Sequence, residues 1–371
     1  MRNLLALLAF IPLFANAQTN AVFMKRLDGY RNYRIPALVC TSTGTLLAFC
    51  EGRQSLLDQS ENDIVLKRSL DNGKTWDSLK VVVEDGANSL NNPQVVVRND
   101  GRVILHYQRY TVGFGEKEAM PGLEGEHICR VFQVYSVDDG KTWSAPEDVT
   151  RQVKRPEATS IASGPGIGIE LKNSKFRGRL VMPYNQGPWG KWSAYCVYSD
   201  DGGSTWIKGE LTPLKPKSKG WANEIQIAEL PDGRLIMNAR SQIGNHKRKI
   251  AYSEDGGRTW SPLTDHKDLM DPMCQGSMLC ASIDGMPVLI YCGPKNRSRR
   301  IKGTIYVSKD GGTTWPIRKT VYKEGFAYSC MTQLPNGNIG LLFEKDGYET
   351  ISFLEVGIKE IVESSEEKGN R

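Results

Sequence analysis

Ser69-Leu70-Asp71-Asn72-Gly73-Lys74-Thr75-Trp76 sets the architecture, because its pattern Ser-x-Asp-x-Gly-x-Thr-Trp begins again at Ser136, Ser199, Ser253 and Ser308. The starts lie 67, 63, 54 and 55 residues apart. A period of this size marks one supersecondary unit repeated around or along an axis. Each copy follows a strand-like segment, such as 63–68 or 301–307, and precedes another, such as 78–83, so it belongs at a hairpin turn. Asp and Gly suit a tight backbone there, Ser and Thr can bond local amides, and Trp can bury a large apolar face. The octapeptides therefore read as turn staples. No copy carries the spaced and terminal acids of a calcium-binding EF-hand loop.

Between the copies a second turn recurs: Asn99-Asp100-Gly101, Pro231-Asp232-Gly233, Ile283-Asp284-Gly285 and Pro335-Asn336-Gly337, each ahead of a short apolar run. Two hairpins per period make a four-stranded antiparallel unit. Residues 18–371 shared among six such units give about 59 residues each, within the observed spacing. The sequence thus predicts an all-β chain, a six-bladed β-propeller in one domain, closed by pairing its two ends.

Residues 1–17 hold one charge, Arg2, then an apolar run from Leu4 to Phe14 and the small-residue pattern Ala15-Asn16-Ala17. This predicts a cleaved signal peptide and an exported protein, periplasmic or extracellular. No later segment has the eighteen or more apolar residues of a membrane span. The net charge of +6 is spread among acids without a basic run, which argues against nucleic acid and for a few arginines gathered on a small anion.

Most of the eight cysteines end apolar runs, as Cys40 and Cys50 do. With Thr43-Gly44 as a two-residue hairpin turn, Cys40 faces Leu47 and Cys50 faces Ala37, leaving the sulfurs roughly 10 Å out of register, too far to bridge. Buried free thiols are expected. The four histidines and the cysteines show no metal-ligand spacing, so neither a metal nor another cofactor is called for.

The octapeptides resemble the Asp-boxes of sialidases, and the likeness runs over nearly the whole chain after residue 17. Tyr33-Arg34-Ile35-Pro36 resembles the Phe/Tyr-Arg-Ile-Pro motif near the start of sialidase catalytic domains, where the arginine holds a carboxylate through two parallel hydrogen bonds. The resemblance carries over residue by residue. It implies Arg53, in Glu51-Gly52-Arg53, as a supporting residue and Asp58, five residues on, as the general acid. It implies Glu224 of Asn223-Glu224 as the base, and Arg240 of Asn238-Ala239-Arg240 as the second clamp arginine. Arg300, eight residues before Ser308, is the third, with Arg297 and Arg299 as competitors. Tyr328, in Phe326-Ala327-Tyr328-Ser329, becomes the nucleophile, and Glu344 of Leu342-Phe343-Glu344 steadies Arg34. One departure is Ile167, which follows Gly164-Pro165-Gly166 where relatives often carry His. Tyr184 could line the same side or pack in the core.

These residue types fit one substrate class, sialylated glycans. Sialic acid bears a carboxylate on its anomeric carbon, so an anionic nucleophile meets like charge there and a neutral phenol does not. The phenol's ordinary pKa near 10 calls for a base beside it. The implied activity is exo-α-sialidase hydrolysis with retention through a tyrosyl-sialoside. A trans-sialidase, including an intramolecular one, shares every residue named, and a non-catalytic sialic-acid-binding propeller needs only the arginines.

Overall fold

The computed structural model describes residues 19–369 apart from residue 217; the expected signal peptide, 1–17, lies outside the described residues. The chain is all-β, with strands in four hydrogen-bonded sheets and two helices, Thr150–Val153 and Ile358–Gly369, among the described residues. Two of the sheets each hold a pair of consecutive four-stranded meanders. In one, strand Ile317–Gln333 pairs through its first half with Ile301–Ser308 and through its second half with Ile339–Lys345. In the other, Asn32–Cys40 to Lys80–Val83 and Ser89–Val97 to Glu147–Asp148 meet at one bridge, Asn62 to Ser89. Six antiparallel meanders follow one another along the chain. The sixth takes its outer strand from the N-terminus, Asn20–Met24, which pairs with Thr350–Val356 near the C-terminus.

The apolar core lies between meanders. Six clusters of buried side chains each join one meander to the next, and one of them joins the sixth to the first through Phe23, Leu342 and Phe353 against Leu38, Leu46 and Ala48. The alternation of the strands explains this, since each sheet is apolar on both faces and must be covered twice.

All five octapeptides fold alike. Ser69 Oγ receives the Gly73 amide at 2.8 Å and donates to Asp71 Oδ1 at 2.8 Å. Asp71 Oδ2 accepts the Thr75 hydroxyl at 2.6 Å. The same Asp-to-Thr bond recurs at Asp138, Asp201, Asp255 and Asp310. The tryptophan reaches into the gap before its own meander. Trp315, fully buried, packs with Ala228 and Ile236 of the preceding unit. The glycine allows the same approach: at Gly312, φ +88°, a Cβ would lie 2.6 Å from Ile236. The staples are thus stitches between meanders as well as within turns.

Two expectations about local geometry, the register of the first hairpin and the burial of every thiol, need correction. The first hairpin turns over Thr41–Thr45, with the Gly44 amide bonded to Thr41 O, so Cys40 faces Leu46 and Ala37 faces Phe49. A bulge between Arg34 and Ala37 adds to the shift. Cys40 and Cys280 are half-buried and the other six cysteines are buried; all eight are free. Tyr184 is a core residue, wholly buried and bonded through its hydroxyl to His106 at 2.6 Å. Ile167 lines a cavity of about 410 Å³ with Leu38, Ile227 and Met331, at the end of the inner strands away from Arg34 and Tyr328.

Candidate active site

The site forms where the innermost strands begin, and backbone bulges build it. Register breaks fall between Arg34 and Ala37, Asn91 and Gln94, Ala222 and Ile225, and Phe326 and Ser329. A bulge turns consecutive side chains out of strict alternation and re-aims them. Ile35 at φ 62° is the sharpest local sign of this beside Arg34. Arg34, Glu224 and Tyr328 each sit in or beside such a bulge.

Tyr328 is the centre. Its hydroxyl donates to Glu224 Oε1, and Arg240 Nη1 donates to that hydroxyl at 2.9 Å and to Glu224 Oε2 at 2.7 Å. The Arg34 and Arg300 guanidinium carbons each lie 5.3 Å from the centre of the Tyr328 ring. Burial, then the Glu224 charge, pushes the phenol well above its usual pKa, while Arg240, Arg300 and Arg34 pull it back. Burial works against the charge of all three arginines, but their anionic and phenolic neighbours outweigh it and hold them more firmly protonated than usual.

Glu344 is wholly buried beneath this group. Its Oε1 accepts Arg34 Nε at 2.7 Å and the Ile35 amide at 2.9 Å, and its Oε2 accepts the Tyr328 amide at 3.2 Å. The two terminal nitrogens of Arg34 have no protein partner among the described residues, and buried Arg240 Nε has none either. The paired terminal nitrogens of Arg34 suit an anion with oxygens in a plane. Arg300 converges on the same ring, whereas Arg297 and Arg299 are exposed.

Asp58 stands apart. Its carboxylate is mostly exposed and its Oδ1 accepts Arg53 Nη1 at 3.1 Å. Arg53 is buried and bonded through Nε to Glu51 Oε2 at 2.6 Å, and Glu51 Oε1 accepts the Asn92 amide at 2.6 Å. Asn62 and Asn91 both donate to the Asp58 carbonyl at 2.8 Å, pinning the loop. No direct contact joins Asp58 to Tyr328. Glu116 feels the charges of both Glu224 and Asp58: burial raises its pKa first, hydrogen bonds from Trp192 and Ser160 oppose this, and the two carboxylates add to the rise.

Sequence reasoning missed four contributors. Tyr348 lies 4.0 Å from the Arg34 guanidinium carbon and accepts Arg300 Nη1 at 3.0 Å, joining two arginines. The turn signal Asp346-Gly347 just before it was the available clue. Glu116 accepts Trp192 Nε1 at 2.7 Å from a long loop without pattern. The Met273 carbonyl accepts Arg300 Nη2 at 2.9 Å, and Gln275 Oε1 accepts the Ser329 amide at 2.9 Å, contacts that depend on the tertiary fold alone. No cluster of three metal-ligating side chains occurs among the described residues.

Residues 36–341 match the family described as BNR repeat-like domain. A sialidase of Micromonospora viridifaciens is 33% identical over 331 residues, covering 85% of this chain and 50% of that protein. A sialidase of Bacteroides fragilis is 31% identical over 362 residues, covering 90% of this chain and 64% of that protein. The chain thus spans about half to two thirds of the length of these curated relatives. Among solved structures, Hadza microbial sialidase Hz136 superposes with a TM-score of 0.79 at 29% identity, over 90% of this chain and 67% of that one. By repeat, fold and sequence alike, the chain belongs to the bacterial-type sialidases with BNR, or Asp-box, repeats.

Proposed function

We propose that this chain is an exported exo-α-sialidase, a six-bladed β-propeller that removes terminal sialic acid from glycoproteins, glycolipids or oligosaccharides. The propeller reading draws support from six consecutive meanders whose core clusters run from each to the next and from the sixth back to the first. Export rests on the pattern of residues 1–17. No described helix is long and apolar enough to cross a membrane.

One observation carries the activity: three arginines, one of them with both terminal nitrogens free of protein hydrogen-bond partners among the described residues, gather around a tyrosine whose hydroxyl is bonded to a carboxylate. Arg34, Arg240 and Arg300 hold the substrate carboxylate. Glu224 takes the phenolic proton as Tyr328 Oη attacks the anomeric carbon, and the bond to the leaving oxygen breaks as Asp58 gives that oxygen a proton. Water then attacks the tyrosyl-sialoside, Asp58 takes its proton, and Glu224 returns a proton to the departing phenolate. Configuration is retained after two displacements, with tyrosine in place of the usual carboxylate nucleophile. Arg53 aligns Asp58, and Glu344 aligns Arg34 and Tyr328. The arginines also favour the phenolate that Glu224 must generate. No step calls for a metal or organic cofactor.

Incubation with a fluorogenic α-sialoside, followed by NMR of the first product, tests this reading. Release of α-sialic acid is expected. A 2,7-anhydro product marks intramolecular transfer, and tight binding without turnover on several linkages marks a sialic-acid-binding propeller instead.

A further inference from the structure

Asp271-Pro272-Met273-Cys274-Gln275 links strands Thr264–Met270 and Ser277–Ile283 and touches most of the Tyr328 group. The Met273 carbonyl holds Arg300 Nη2 at 2.9 Å. Cys274 packs with Ile35, Ala327 and Tyr328. Gln275 brackets the residue after Tyr328, accepting the Ser329 amide at 2.9 Å and donating to its carbonyl at 3.0 Å.

This segment is anchored at its start by a buried ion pair. Asp271 Oδ1 accepts the Cys274 amide at 2.9 Å, and Oδ2 accepts the Ser241 amide, next to Arg240, at 2.7 Å. Arg248 Nη1 donates to Asp271 Oδ2 at 3.2 Å and to the Cys274 carbonyl at 2.6 Å, while its Nε donates to Asn238 Oδ1 at 2.6 Å. Asn238 and Ser241 flank Arg240 on strand Leu235–Gln242. Both charged side chains are essentially inaccessible, at 1% and 0%.

We propose that Asp271 and Arg248 are positioning residues for the carboxylate clamp, fixing Arg240 and Arg300 relative to one another through the 271–275 segment. The inference rests on the sialidase reading of the site. A buried ion pair is a poor source of stability, because desolvation offsets most of its attraction and an apolar replacement often serves as well. Geometry is what it supplies here. Its five hydrogen bonds to backbone and to Asn238 tie the strand of Arg240 to the loop whose carbonyl carries Arg300. A planar carboxylate shared by two guanidiniums needs those groups placed within a fraction of an ångström.

The test uses the full chain with Asp271→Asn and, as the milder change, Arg248→Lys. Calorimetry measures affinity for 2-deoxy-2,3-didehydro-N-acetylneuraminic acid and for its C1 methyl ester, well below each variant's melting temperature. Both substitutions are expected to weaken binding of the acid by about 10- to 100-fold while changing ester binding little, and to raise KM more than they lower kcat. Variants that keep the wild-type preference for acid over ester overturn the inference even if they melt earlier. So does failure of Asp271→Asn to fold while Arg248→Lys keeps that preference, or failure of both. A wild-type chain that binds neither compound instead overturns the sialidase reading itself.

Discussion

Arg34 and Glu344 form a buried ion pair at 2.7 Å between the first and the sixth meander, 310 residues apart in sequence. The same carboxylate receives the Tyr328 amide, so one buried group ties the first meander to the sixth and supports both Arg34 and Tyr328. Glu344→Ala leaves Arg34 buried without its partner and the Ile35 and Tyr328 amides without an acceptor. A loss of about 3–5 kcal/mol is expected, together with weaker sialic acid binding. Denaturant melts and calorimetry on the same preparation check both, and a variant with unchanged stability would contradict the role given to this pair.

The staple tryptophans give a graded stability series. Trp315, Trp206 and Trp260 are buried, whereas Trp76 and Trp143 are only partly so. Trp315→Ala should cost about 3–5 kcal/mol. Trp76→Ala and Trp143→Ala should cost less, in proportion to the smaller area they cover. Each staple lies at the turn from the third strand to the fourth, at the opposite end of the strands from Tyr328, so turnover per folded molecule should survive. Melting temperatures alongside active-site titration measure the two effects separately. Abolished turnover with an unchanged melting temperature would break the assignment of these turns to structure.

The staples, the intervening turns and the inner strands were legible because each is written in local chemistry: Gly where φ is positive, Asp and Thr bonded within four residues, apolar runs between. The arginines and Tyr328 were legible through motif resemblance. Register was not. The bulges at Arg34, Glu224 and Tyr328 interrupt hairpin pairs of consecutive strands, and no local pattern announces them. The third meander was hidden for a similar reason: its inner edge is broken into Ile161–Ser163 and Ile169–Glu170, while Gly166–Ile167 pairs in parallel with the second meander. Tyr348 and Asp271 gain their roles only where the fold brings arginines to them.

His106 should make stability depend on pH. It is buried, its Nδ1 meets the Tyr184 hydroxyl at 2.6 Å and its Nε2 meets Gln133 Oε1 at 2.9 Å. Trp206 Nε1 also donates to that oxygen at 2.8 Å, which makes it an acceptor only and assigns the proton to Nε2. Burial lowers the imidazole pKa from 6.5 to about 4. Between those values the unfolded chain binds the extra proton and the folded chain does not. The stabilising contribution is therefore fully present above about pH 6.5 and falls away as pH drops toward 4, by an amount of order 3 kcal/mol. Melting temperature against pH should fall less steeply over this window in His106→Gln than in the wild type. Equal slopes would remove His106 from the account.

Replacing Tyr328 and Asp58 separates nucleophile from acid. Tyr328→Phe keeps the ring beneath Arg34 and Arg300 but removes the oxygen that bonds Glu224 and Arg240, so turnover should fall by at least about 10³-fold while sialic acid still binds. Asp58→Ala acts on the leaving group. Phenolic leaving groups depart with little protonation, so this variant should keep more of its activity on an aryl sialoside than on a sialyl-galactoside. Asp58 is mostly exposed and its carboxylate is held by a hydrogen bond from Arg53. Arg34→Ala should raise KM as well as lower kcat on both substrates, since the clamp serves binding and chemistry alike. A fluorinated sialosyl donor followed by peptide mass spectrometry then identifies the nucleophile. An adduct on the peptide containing Tyr328 is expected, and an adduct on Glu224 or Asp58 would replace the phenol with a carboxylate and reverse the roles argued for all three.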